Sequence, residues 1–249
     1  MRVGVFLLAV ALAGPVNAQS SLGITGATLS FGGLSDEASR GQANGSASLD
    51  VAITQVHGLQ GDLSFEDTAY GTIGRLTGHV YMDPAPGQKY GLFVAMSDLD
   101  GRSLNWVDFG AEGQINVGEW GLASVRAGLG QADQGGLDYI FGGLAYAHAL
   151  TPDFEVEVHF DVTDFDETDL RATSLETGIT ARYAPIGQPW GVYAEVIHSA
   201  LTGRDGGASS LRLGAGLTVS LGTAGGISAN TRHFRDHDPV APMVRRGLK

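Results

Sequence analysis

The stretch Asp153–Val162 reads DFEVEVHFDV. Phe154, Val156, Val158, Phe160 and Val162 alternate with Glu155, Glu157, His159 and Asp161. Successive side chains of a β-strand point to opposite faces, so this segment has one apolar wall and one ionisable wall. In a soluble sandwich the apolar wall would lie in a core, with the charges in water. In an outer-membrane barrel the apolar wall meets lipid and the charges line a lumen. The rest of the chain decides between them.

Similar alternation recurs along the sequence. Ala47, Leu49, Val51 and Ile53 form one set, and Tyr90, Leu92, Val94 and Met96 another. Val107, Phe109 and Ala111 alternate with Asp108, Gly110 and Glu112, and Leu175 to Tyr183 with Glu176, Gly178, Thr180 and Arg182. Leu211 to Leu221 forms the final set, with Arg212 on its polar side. No helical spacing is sustained after the first residues, so the fold class is all-β.

Turn signals fall into two alternating kinds. Six connections are rich in Asp, Glu, Gly and Ser, and five are tighter, several with Pro or a flanking aromatic. Together they separate about 12 strands (10–14 is the compatible range), spaced as tilted membrane strands of ~10 residues require. An even number brings both ends of the barrel to one side, expected to be the periplasmic one. Tyr81, Tyr90, Trp120, Tyr146, Phe154, Tyr183 and Trp190 flank the tight turns, an arrangement expected to form an interfacial girdle.

The chain opens MRVGVFLLAVALAGPVNAQS. Arg2, an apolar run to Ala13 and the small-residue site Val16-Asn17-Ala18 read as a secretory signal peptide over residues 1–18. Cysteine is absent, and the net charge of −12 argues against nucleic acid as a partner. Only two lysines occur, Lys89 and Lys249, few for a solvated sheet face.

These features resemble the small porin-like and OmpA-like outer-membrane β-barrel families of Gram-negative bacteria, common in alphaproteobacteria. The residues that carry the resemblance are the signal peptide, the hairpins ITQVHGLQGDLSF (Ile53–Phe65) and AYAHALTPDFEVEVHFDV (Ala145–Val162), and LRLGAGLTVSLG (Leu211–Gly222). The resemblance implies a single antiparallel up-and-down transmembrane β-barrel over residues 19–222. It also implies outer-membrane lipid and lipopolysaccharide as surroundings, the barrel-assembly machinery as a partner, and passive passage of small hydrophilic solutes. The chain departs from such families after Gly222, where it continues through TAGGISANTRHF to RDHDPVAPMVRRGLK. Either Phe234 closes a shifted last strand, or Leu211–Leu221 is the last strand and residues 223–249 form a periplasmic tail; the second is preferred.

The expected lumen-lining residues are Arg75, Asp108, Glu112, Arg126, Glu155, Glu157, His159, Asp161, Glu176, Arg182 and Arg212. Such opposed charges either line a water path, giving a mildly cation-preferring channel, or lock together as a salt-bridged plug. The acidic run TDFDETD (Thr163–Asp169) lacks the spacing of a calcium loop and reads as a solvated outer loop. His198-Ser199 are adjacent on a strand and so point apart, and no G-x-S-x-G, H-E-x-x-H or phosphate loop occurs. No catalytic, metal or cofactor site is expected.

Overall fold

The computed structural model describes residues 23–247 except 37–39, 103, 134–136, 167–169, 222–226 and 228–231. The signal-peptide assignment lies outside the described residues. Twelve strands follow one another: β1 (Ile24–Ser35), β2 (Arg40–Ala52), β3 (His57–Thr68), β4 (Gly71–Ala85), β5 (Gln88–Leu99), β6 (Leu104–Val117), β7 (Gly121–Ala132), β8 (Asp138–Thr151), β9 (Phe154–Asp166), β10 (Arg171–Tyr183), β11 (Trp190–Thr202) and β12 (Gly207–Leu221). A four-residue helix, α1 (Ala241–Val244), follows. Each strand pairs antiparallel with its sequence neighbours, and β1 pairs with β12 from Ala27↔Leu221 to Ser35↔Leu213, which closes the barrel. Leu211–Leu221 therefore belongs to the last strand, and Phe234 to none.

The strands, 12 to 15 residues long, exceed the ~9–11 residues that cross a bilayer when tilted. Hairpins at both ends are short. β3 and β4 are joined by Ala69-Tyr70 alone, and β4 and β5 by Pro86-Gly87, where Gly87 adopts a left-handed φ of 76°. The β3–β4 connection, one of the Glu- and Asp-rich set, is thus as short as the tight β4–β5 turn. The run Thr163–Asp166 is the end of β9 and not a loop; residues 167–169 lie outside the described set.

The outer wall is apolar. Leu63, Leu76, Leu92, Val94, Leu144, Ile179 and Leu217 each stand more than half exposed on the bare protein. An apolar band encircling a closed barrel is the surface of a protein embedded in lipid. Tyr90, Trp120, Tyr146, Tyr183 and Trp190 sit exposed at the rim of the tight turns, here called the near rim. Tyr81, expected in that girdle, instead turns inward, and its hydroxyl donates to Asp50 at 2.9 Å. Its place follows from the register of β4, which sends Arg75, Thr77, His79 and Tyr81 inward together.

Candidate functional site: a threaded lumen

All eleven expected lumen residues point into the barrel. Ten are buried, and Arg182 is half-buried. Two glycines make room for the charges of β9. A Cβ at Gly143 would collide with the Asp161 carboxylate, and one at Gly178 with the His159 ring. Several charges pair across the wall, as between Arg75 and Asp108, with two bonds of 2.9 and 2.8 Å. Arg182 reaches Glu155 at 3.1 Å and Glu157 at 3.0 Å, and Arg212 lies 3.4 Å from Glu176.

The remaining partners come from the end of the chain. Residues 232–247 were expected to lie in the periplasm, but they run up the lumen. Ile227 bonds to Pro152 O at the near rim, 2.9 Å away. At the opposite, far rim, Arg246 donates to Ser199 O at 2.9 Å, and Gly247 meets the Tyr70 ring in the β3–β4 hairpin. The physical reason is charge. The last eighteen residues hold five of the chain's 15 cationic side chains and two of its 27 acids, while the wall carries an excess of carboxylates.

The thread is held at three levels. Near the entrance, Arg232 pairs with Glu155 and, at 3.3 Å, with Glu157, and His233 lies 2.6 Å from Asp50. The Phe234 ring stacks on His79, with centroids 5.7 Å apart, and meets the edge of Tyr81 at 6.0 Å. Lys89 Nζ stands 4.4 Å over the Phe234 ring, within cation–π range. Midway, Arg235 forks onto Asp161, while Asp236 accepts from Arg75 at 2.9 Å, Thr77 at 3.0 Å and Ser64 at 3.1 Å. Further up, Arg245 bonds Glu66 at 2.6 and 2.7 Å and Glu176 at 3.2 Å, joining the pair that Arg212 serves.

The far end is dry. Val240, Ala241, Met243 and Val244 are buried against Leu99, Leu104, Trp106, Leu137, Tyr139, Phe165, Leu170 and Leu201. Asp238 accepts from the backbone N–H of Val240 and Ala241 and from Trp106 Nε1 at 3.0 Å, fixing the start of α1 to the wall. Below this cap the thread leaves open a cavity of about 1520 Å³ that reaches the near rim. Its side along β1, β2 and β12 is lined by hydroxyls, including Thr28, Ser30, Ser46, Ser48, Thr218 and Ser220. Among the described residues the lumen is therefore a blind vestibule, open towards the near rim and shut by α1.

Sequence reasoning missed Asp50, Gln60, Asp62, Glu66, His79 and Lys89 on the wall, and every residue of the thread. The wall residues were legible as the polar partners of outward-facing apolar residues. The thread offers no periodicity, and its signal was the concentration of arginines after the last strand.

No protein-family model matches the chain, and no curated protein resembles it in sequence. Solved structures do resemble it in fold. The NanC porin superposes with a TM-score of 0.59 at 9% identity, covering 77% of this chain and 98% of that one. An outer-membrane channel from Pseudomonas putida F1 gives 0.57 at 12%, over 84% and 100%. The KdgM porin, in complex with disordered oligogalacturonate, gives 0.54 at 10%, over 77% and 98%. The protein thus shares the closed twelve-stranded antiparallel barrel fold of these outer-membrane proteins.

Proposed function

We propose that this protein is a porin-type channel of the outer membrane whose bore is occupied by its own C-terminal segment, so that solute passage requires the segment to yield. The pairing of Arg232, Arg235 and Arg245 with wall carboxylates carries this reading. A barrel evolved only as a rigid post could fill its centre with apolar side chains. This one instead stores ion pairs beside a water-accessible vestibule, where a displaced cation and its carboxylates can each be hydrated. The fold neighbours, two porins and a channel, support the same class.

With the segment displaced, Glu66, Glu155, Glu157, Asp161 and Glu176 lose cationic partners, and the bore favours cations and small hydrophilic cationic solutes. The oligogalacturonate held by the KdgM porin is a polyanion, which such a wall would repel. A second reading, a barrel shut for good, draws on the apolar seal around α1. Single-channel recording in planar bilayers separates the two. Wild-type protein is expected to conduct rarely, and full-length protein with Arg232→Glu and Arg235→Glu to conduct steadily. Equal, negligible conductance from both proteins would leave the permanently shut barrel.

A further inference from the structure

The wall contacts the thread as a receptor contacts a peptide, backbone as well as side chains. Gln60 Nε2 donates to Phe234 O at 3.1 Å while Phe234 N donates to Gln60 Oε1 at 2.8 Å. One side-chain amide thus satisfies both backbone groups of one residue, as a neighbouring strand would. Gln114 Nε2 donates to His233 O at 3.1 Å, and Arg126 Nη1 to Arg235 O at 2.9 Å. The Arg126 guanidinium that makes this bond also lies 4.3 Å over the Phe93 ring.

Side-chain recognition is superimposed on this. Glu155 and Glu157 take the guanidinium of Arg232, the His79, Tyr81 and Lys89 side chains seat the ring of Phe234, and Asp161 takes Arg235. Arg182 already shares Glu155 and Glu157, so the entry position is built to hold two guanidinium groups at once.

We propose that this wall is a binding site for extended basic peptides, with an aromatic residue two positions after one arginine and directly before another, and that the C-terminal segment is its tethered ligand. The proposal rests on the channel reading for its physiological use, because a displaced segment frees the site for a peptide entering the bore. Tethering sets the competition. A linked ligand acts at an effective concentration on the order of millimolar, so a free peptide meets an occupied site in the wild-type protein.

The test uses full-length protein in detergent and three labelled tetrapeptides, Arg-His-Phe-Arg, Glu-His-Phe-Glu and Arg-His-Ala-Arg, followed by fluorescence anisotropy. Protein carrying Arg232→Glu and Arg235→Glu is expected to bind the first at least tenfold more tightly than wild type does. It should bind the second not measurably and the third about tenfold more weakly than the first. Phe234→Ala keeps the arginines and empties only the aromatic seat. It serves if the double variant loses its heat-modifiable migration, with an expected gain of at least fivefold for Arg-His-Phe-Arg. A conducting variant that binds the arginine and glutamate peptides alike, or neither, overturns the peptide site and leaves the channel standing. A variant that binds Arg-His-Phe-Arg selectively but never conducts supports the site and removes the channel.

Discussion

Arg75 joins the barrel to the thread. Its Nη2 holds Asp108 on the neighbouring wall, while its Nε holds Asp236 at 2.9 Å. Removing the thread leaves Arg75 with a bidentate partner, so only one side of the contact is left without a countercharge. Asp236→Asn is therefore expected to leave the barrel folded and to loosen the thread by about 1–3 kcal/mol, the cost typical of a hydrogen bond to a buried charge. Limited proteolysis of the C-terminus, compared with heat-modifiable gel migration, reads the two effects separately. Loss of barrel migration in this variant would show that the thread supports the wall itself.

The lipid face sets a separate test. Val94 is central in β5 and 53% exposed on the bare protein, whereas Ser48 lines the vestibule. Val94→Arg places a charge in hydrocarbon and should cost ~2–4 kcal/mol in a refolding titration. Ser48→Lys should fold near the wild-type midpoint. Similar behaviour of the two variants would place neither residue at a membrane surface.

Selectivity follows from the uncovered wall. In the Arg232→Glu, Arg235→Glu background, reversal potentials under a salt gradient are expected to show cation preference. Adding Glu155→Gln and Glu157→Gln should reduce it, because fixed carboxylates act within a Debye length of ~8–10 Å. Anion preference in the released state would assign control of permeation to Arg126, Arg182 and Arg212 instead.

The barrel was legible because lipid imposes a strict rule. Every outward position of β5 and β9 must be apolar, so Tyr90–Met96 and Phe154–Val162 announce both their strands and their facing. The same rule explains the error at Tyr81, since an aromatic near a turn suits either face until the register is known. The thread escaped because nothing forces a pattern on a single strand of chain inside a polar bore. Its contacts are set one at a time by Arg232, Phe234, Asp236 and Arg245, and two prolines, Pro239 and Pro242, make it read as a loose extension. Even so, arginines gathered after the final strand, set against a wall short of cations, were a visible mismatch.

An even-stranded barrel ordinarily returns its chain to the side from which it set out. Here residues 232–247 add a thirteenth passage, so Ile24 stands at the near rim and Gly247 at the far rim, beside Tyr70. A peptide epitope appended after Lys249 should therefore be reached by antibody on intact cells, and one placed ahead of Ile24 only after the envelope is opened.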